Sequence, residues 1–321
     1  MPKLIIQIPC FNEEDILGLT LSQLPRSLPG IDEVEWLVID DGSIDATVQI
    51  ARDGGVHHII QRPHQGLSRA FLAGLEASVE QGADIIVNMD ADNQYDARDI
   101  PLLIGPVLEG SADIVIGARP VSQIEHFSLW KKLLQRLGSW VVRAVSRTST
   151  PDAPSGFRAL SREAAMRTHV FNQYTYTLET VIQAGLDGMA ITSVPVRVNQ
   201  ELRPSRLVKS VPSYVRRQVL TIFRIFVVYK AFAFFFVSGG LIFLCGFLIG
   251  ARFLYFFLGG GGAGHIQSLI LAALLLATGF FLTVVGLLAD LISVNRRLLE
   301  RLDWRLQKVD QLLRETPEDK P

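Results

Sequence analysis

The sequence predicts a doubly wound α/β domain, then a basic amphipathic segment, then a hairpin of two membrane helices. Three observations predict it. Strand-like apolar runs alternate with helical stretches through the first ~200 residues. Two long uncharged runs lie near the C-terminus, and the charge is divided unevenly along the chain. Hydrophobic residues make up 49% of the 321 and charged residues 20%, which excludes a disordered or collagen-like chain and is oily for a purely soluble enzyme.

The strand candidates are Leu4–Ile8, Glu35–Ile39, Val56–Ile60, Ile85–Met89 and Ile114–Gly117. Helical stretches fall around Glu14–Leu24, Asp45–Ala51 and Leu67–Glu80. Strands separated by helices of this length argue for a parallel, doubly wound sheet, in which ligands bind beyond the carboxyl ends of the strands.

Ala231 to Ala251 runs 21 residues without a charge and Ile266 to Ala289 runs 24, each enough to cross a bilayer as a helix. The glycine run Gly259–Gly262 between them suits a tight turn. The N-terminus goes directly into a strand-like run, which is not the pattern of a signal peptide. Residues 1–201 carry 25 acidic and 16 basic side chains, a balance of −9. Residues 202–230 carry Arg203, Arg206, Lys209, Arg216, Arg217, Arg224 and Lys230 with no acid, a balance of +7. This basic collar precedes the first span, and Arg296, Arg297, Arg301 and Arg305 follow the second. The connecting loop offers only Arg252, near a span end, and His265. Positive-inside logic therefore puts both ends and the N-terminal body in the cytoplasm, at the inner membrane in a bacterium.

Within the collar, Tyr214 to Tyr229 mixes arginines with Val215, Leu220, Phe223 and Phe226. It reads as an amphipathic helix at headgroup level or as a continuation into the span. Domain boundaries follow at 1–208, 209–230, 231–290 and 291–321, the last a helix that is solvated or self-associating. Cys10 and Cys245 give neither a disulfide framework nor a metal spacing, so a reducing compartment is expected.

The strand ends carry the chemistry. The first strand ends in Pro9-Cys10-Phe11-Asn12-Glu13-Glu14 and the second in Asp40-Asp41-Gly42-Ser43. The fourth ends in Asp90-Ala91-Asp92-Asn93-Gln94 and the fifth in Gly117-Ala118-Arg119. Each cluster alone has an ordinary reading. Asp-Asp-Gly-Ser, for example, is a good turn and helix cap. Together at one sheet edge they suit transfer from a diphosphate-activated donor. Alternating carboxylates with a nearby amide are hard oxygen ligands for Mg²⁺ or Mn²⁺, and such an ion neutralises a leaving diphosphate. No Gly-x-x-x-x-Gly-Lys loop and no Gly-x-Gly-x-x-Gly follows the first strand, which excludes a kinase-type or dinucleotide fingerprint. His64-Gln65-Gly66-Leu67-Ser68 starts a helix, either an ordinary one or one aimed at phosphate.

In this order and spacing, Pro9…Asn12-Glu13, Asp40-Asp41-Gly42-Ser43, Asp90-Ala91-Asp92-x-Gln94 and Gly117-Ala118-Arg119 resemble the family-2 inverting glycosyltransferases. Within them the chain is similar to the polyprenyl-phosphate branch, the dolichol-phosphate-mannose-synthase-like enzymes with a C-terminal membrane hairpin. The resemblance covers about residues 3–210 by motif and the rest by layout. It implies a GT-A (Rossmann-like) nucleotide-sugar domain and transfer of a sugar from a UDP- or GDP-linked donor to a polyprenyl phosphate.

It also implies residue roles. Pro9, Phe11 and Glu13 would line the nucleotide pocket, and Ile39 and Asp41 would contact base and ribose. Asp90 and Ala91 would lie along the donor. Asp92 and Gln94, with Asp90, would hold the metal, and Arg119 would contact the phosphates. Arg203 and Lys209 keep the family's six-residue spacing after the last catalytic strand. The resemblance places them at the donor and, with Arg206, at the acceptor phosphate. Where the family often has Gly-x-Ser-Lys, this chain has Arg206-Leu207-Val208-Lys209. Asp152-Ala153-Pro154-Ser155-Gly156-Phe157-Arg158 resembles a segment facing the donor sugar. Asp152 there is a candidate base or an acceptor-orienting carboxylate, against a plain loop acid. Glu179 either faces the site or the surface.

The expected partners are a nucleotide-sugar, a polyprenyl phosphate, the membrane and further copies of the chain, with a tetramer as the guess, and no nucleic acid. Other readings stay open: a processive family-2 enzyme, a transferase acting on a diacyl or soluble acceptor, or an inactive membrane-anchored binding protein. The divided charge separates two surfaces. Changes at the acidic strand ends are expected to abolish turnover, whereas changes in the collar are expected to weaken use of a lipid acceptor first, read as acceptor KM.

Overall fold

Lys3–Cys10 forms β1, because a mostly apolar run lets a strand be buried on both faces, and its residues from Leu4 onward are buried. The structure, a computed structural model, describes residues 2–120, 150–170, 176–200, 230–260 and 265–315. The remaining elements of the first unit follow in chain order. They are α1 (Leu17–Gln23), β2 (Glu33–Asp40), α2 (Thr47–Asp53), β3 (His58–Gln61), α3 (Leu67–Glu80), β4 (Ile85–Asn88), α4 (Ile100–Leu108), β5 (Ile114–Ala118), β6 (Arg158–Ser161), α5 (Arg162–Met166), α6 (Tyr176–Leu186) and β7 (Ile191–Pro195). The five sequence-read strands and three sequence-read helices are all present, with α3 matching its expected ends.

The seven strands form one sheet in the order β3-β2-β1-β4-β6-β5-β7. β1, β2, β3 and β4 are parallel, as is the β5–β7 pair. β6 runs antiparallel to both of its neighbours, with Arg158 opposite Asn88 of β4 and Ile116 of β5. The sheet is therefore mixed and not purely parallel, which corrects the expectation. The reason matters for the site. An antiparallel strand starts where parallel neighbours end, so β6 carries residues 152–157 to the edge that holds the other loops.

One face of the sheet buries Leu4, Ile6, Ile8, Val38, Val87 and Val115 with Leu17, Leu21, Leu103 and Ile104. On the other, α3 packs over β1 and β2. Phe71 of α3 is fully buried and stacks on Tyr176 of α6 with centroids 4.0 Å apart. Burying an aromatic ring of this kind contributes about 1.5–3 kcal/mol. Gln7 and Asn88 break the apolar pattern of β1 and β4, yet both are fully buried. They are register partners, and Gln7 Nε2 donates to Asn88 Oδ1 at 2.9 Å.

A second compact unit, residues 219–305, contains the helix α7 (Ala231–Leu258) and, as far as Arg305, the helix α8 (Ile266–Glu315). Ala231–Leu258 and Ile266–Asn295 are each long and apolar enough to cross a membrane, and few of their side chains are buried. A core helix of a soluble protein would be mostly covered. The helices meet through glycine: a methyl group on Gly279 would stand 2.5 Å from Phe243 N, and one on Gly239 2.8 Å from Gly279 O. α8 passes the expected boundary at residue 290 without a break. Except for Lys230, the interfacial helix expected over 209–230 lies outside the described residues, as do Arg203, Arg206 and Lys209.

Gly42 sits at φ +81°, where an added methyl would meet His64 N at 2.8 Å. Gly42→Ala is expected to destabilise the α/β unit by about 1–3 kcal/mol, read as a lowered unfolding midpoint of the purified protein.

Candidate active site

One part of the site is built from the ends of β1 and β2. Asn12 adopts φ 54°, a left-handed conformation that asparagine tolerates. Its N–H donates to Ser43 Oγ at 2.8 Å, and its Oδ1 accepts from Ile44 N at 2.9 Å. Glu13 N donates to Thr47 Oγ1 at 2.7 Å. Asp40 Oδ1 accepts from Ser43 N at 3.1 Å and closes the turn. The two loops are thus stitched together before any ligand arrives.

Asp41 is 3% exposed, and its carboxylate is already engaged. Oδ1 accepts from Gln65 N at 3.0 Å and Oδ2 from Gly66 N at 2.8 Å, and Oδ2 lies 2.8 Å from His64 Nδ1. Asp41 therefore uses the two amides immediately before α3 that could otherwise have met a phosphate. The Phe11 ring, 40% exposed, stacks on the His64 imidazole at 4.2 Å and 26°. His64 joins this part of the site through the stack, and only the proximity of the β2 and β3 ends could have revealed it. Ile39, expected at the base and ribose, lies near the end of β2. Its side chain is fully buried, and a methyl on Gly74 of α3 would lie 2.7 Å from its Cδ1. Pro9 is its register partner on β1 and is also buried.

The other part is built from β4, β5 and the start of β6. Ala91 is buried, and its carbonyl accepts from Thr20 Oγ1 at 2.9 Å, which ties the end of β4 to α1. Asp92 Oδ1 accepts from Gln94 N at 3.1 Å. Burial, and then the nearby Asp92 charge, push the Asp90 carboxyl up to about 7. Such a group is one that a divalent cation would return to its charged form. Gly156 leaves room for it: a methyl there would stand 2.6 Å from Asp90 Oδ2.

The Gly156 peptide is gripped on both sides. Its N–H donates to Tyr95 Oη at 3.2 Å, and its carbonyl accepts from Asn88 Nδ2 at 2.8 Å. Asn88 and Tyr95 were not singled out by the motifs, although an asparagine ending the run Ile85-Ile86-Val87 is a legible signal. Beneath them Arg158 is 1% exposed. It donates to Ser155 O at 2.7 Å, Ala153 O at 2.6 Å and Thr177 O at 2.8 Å, and to the Thr180 hydroxyl. Burial lowers its pKa, with Tyr176, Tyr95, Asp152 and Asp90 opposing.

Arg119 and Asp152 form a paired unit. Arg119 Nε donates to Asp152 Oδ2 at 2.8 Å and Nη2 to Oδ1 at 3.1 Å, and the Arg119 main-chain N donates to Oδ2 at 3.2 Å. Arg119 Nη1 also donates to Gln94 Oε1 at 3.3 Å. Burial works against the Arg119 charge, but Tyr95, Asp152 and Asp90 outweigh it and raise its pKa above the usual value. Asp152 is 1% exposed and clamped at both oxygens. That is the geometry of an anchor for Arg119 and not of an open base. Breaking such a pair leaves a buried charge uncompensated at about 3–5 kcal/mol. Glu179 lies in the first turn of α6 and is 8% exposed, so it is not a surface acid.

The donor set Asp90, Asp92 and Gln94 fits a hard divalent cation. Among the described residues no three His, Cys, Asp or Glu side chains form a metal cage. The set therefore suits an ion that completes its shell with substrate oxygens.

The profile of "Glycosyl transferase family 2" matches residues 5–168. The chain is 29% identical over 217 residues to the undecaprenyl-phosphate mannosyltransferase of Micrococcus luteus, covering 64% of this chain and 87% of that protein. It is 25% identical over 218 residues to the polyprenol monophosphomannose synthase of Mycolicibacterium smegmatis, covering 64% and 81%. Glucosyl-3-phosphoglycerate synthase from Mycobacterium tuberculosis, solved with Mn²⁺, UDP and glucosyl-3-phosphoglycerate, shares the fold. Its TM-score is 0.51 at 21% identity, over 69% of this chain and 80% of that one.

Gly156→Ala is expected to displace the Asp90 carboxylate, since the gripped peptide has no room to retreat. Turnover should fall by up to about 10²-fold. Gly105→Ala on α4, where an added methyl meets nothing within 4 Å, should leave turnover unchanged in the same assay.

Proposed function

Since the chain belongs to glycosyltransferase family 2, we propose that it moves a sugar from a UDP- or GDP-linked donor to the phosphate of a polyprenyl phosphate, at the cytoplasmic membrane face and with inversion. The observation that carries this reading is the meeting of Arg119 and Gln94, side by side, with the Asp90–Asp92 carboxylates at one sheet edge, in a chain that goes on to two apolar helices. The names of the Micrococcus and Mycolicibacterium relatives support the acceptor class. Residues 1–208 are then the catalytic domain, 209–230 an interfacial helix, 231–290 the hairpin and 291–321 a cytoplasmic helix.

The residues divide the work. Phe11 and His64 offer a stacked face for the base, with Glu13 beside them. Asp90, Asp92 and Gln94 would hold Mg²⁺ or Mn²⁺, which when bound neutralises the charge of the departing nucleoside diphosphate. Arg119, aimed by Asp152, binds the same diphosphate from the other side. Arg203, Arg206 and Lys209 take the acceptor phosphate, and Arg203 and Lys209 also reach the donor. A phosphate monoester has a second pKa near ~6, so its oxygen is already anionic at neutral pH. It needs alignment more than deprotonation, which agrees with an Asp152 committed to Arg119. The acceptor phosphate oxygen forms the bond to the anomeric carbon as the bond to the donor's phosphate oxygen breaks, and the nucleoside diphosphate leaves with that electron pair.

The test is a panel of labelled UDP- and GDP-sugars with undecaprenyl phosphate and purified protein, with and without divalent metal. Metal-dependent formation of one sugar-phosphate lipid is expected, with the anomeric configuration inverted by NMR. Asp92→Asn is expected to lower turnover by at least about 10²-fold. Retention of configuration, full activity in Asp92→Asn, or transfer to diacylglycerol in place of the polyprenyl phosphate would sink the proposal.

A further inference from the structure

The three residues after β7 run antiparallel to the loop that follows Asp92. Tyr95 and Val198 form an isolated bridge, and Asp96 N donates to Arg197 O at 3.5 Å. Asn199 then binds three successive carbonyls of that loop. Its Nδ2 donates to Asn93 O at 3.1 Å and to Tyr95 O at 3.2 Å, and its main-chain N donates to Gln94 O at 2.8 Å. The remaining neighbour of Nδ2, Asn93 Oδ1 at 3.5 Å, is also an oxygen. Each of these partners of Nδ2 is an acceptor, which suits an amide N–H₂ with its two donors. The held segment includes Asn93 at φ 56°, a conformation that asparagine tolerates. Asn199 is itself moored: Arg197 N and Nε donate to Asp99 at 2.6 and 2.9 Å, and Asp99 is 2% exposed.

We propose that Asn199 is a positioning residue for the metal-holding loop. By fixing the peptides on both sides of Gln94, it sets the direction of the Gln94 and Asp92 side chains. This rests on the reading of Asp90, Asp92 and Gln94 as the metal ligands. Asn199 stands four residues before Arg203. One stretch of chain therefore serves both partners of the reaction: it shapes the loop that meets the donor, then supplies the groups proposed for the acceptor.

The experiment is a Mn²⁺ titration of the full-length protein in detergent, following the electron paramagnetic resonance signal of unbound Mn²⁺. Asn199→Asp keeps the shape of the side chain but puts a carboxylate oxygen against the carbonyls of Asn93 and Tyr95. A loss of Mn²⁺ affinity of about 10–100-fold is expected, as for other residues that orient metal ligands. Charge alone predicts the opposite, because an added carboxylate near the ion should tighten binding. Asn199→Ala, which removes the donors without adding repulsion, should weaken binding in the same direction but less. Unchanged or tighter binding in either variant, with Asp92→Asn binding lost, overturns the role of Asn199 alone. Absence of Mn²⁺ binding by the native chain overturns both this role and the metal reading beneath it.

Discussion

The close approach of the Asp90 carboxylate to Gly156 is the constraint from which the site is organised. A carboxylate at the end of a central strand, close to a second one, is costly to ionise, and its elevated pKa measures that cost. Two arginines offset it from different directions. Arg119 reaches the cleft and is paired by Asp152, whereas Arg158 lies beneath and is satisfied by three carbonyls and a hydroxyl. The first is held at all three of its side-chain nitrogens, by Asp152 and by Gln94. The second is spent on holding residues 153–155 in place. Asn88 and Tyr95 then keep the Gly156 peptide from moving, so the contact with Asp90 is held by main-chain hydrogen bonds and not by packing alone.

Much of this was legible in the sequence, for physical reasons that can be named. β1, β2, β4 and β5 are apolar runs buried on both faces, and their ends carry the motifs, so strands and motifs were read together. The start of α3 was legible from Gly66. β6 was not, because four residues opening with Arg158 give no apolar period, and β7 is an edge strand ending in Pro195. Without β6 the antiparallel turn of the sheet was invisible. With it went the means by which Asp152, 33 residues beyond Arg119, comes back to pair with it. The role of Asp41 was hidden for a related reason. Nothing in Asp-Asp-Gly-Ser says that one carboxylate will be taken by the amides of Gln65 and Gly66. That the Ile39 side chain lies beneath α3 was equally hidden, a matter of which face of β2 each residue occupies.

The second unit rests on different physics. Its helices leave most of their apolar side chains uncovered and meet through backbone at Gly239, Gly246 and Gly279, the close approach that membrane helices use where the hydrophobic effect gives no drive to associate. A near-zero net charge conceals both units. The acidic excess belongs to the α/β unit, where it gathers at the strand ends, and the basic excess to the sequence leading into the first span.

The ties within the strand-end loops have a consequence for how such a site can change over time. Phe11, Asn12, Ser43, Asp41 and His64 brace one another and the start of α3. Asp90, Arg119, Asp152 and Gly156 are braced through β6 instead. The two halves share the sheet and the tie from Thr20 Oγ1 to Ala91 O, and each also has struts of its own. A lineage could recast the half proposed to meet the nucleobase, residue by residue, while the half proposed to handle the leaving group stayed intact. One scaffold could thus trade its currency of donor without relearning its reaction.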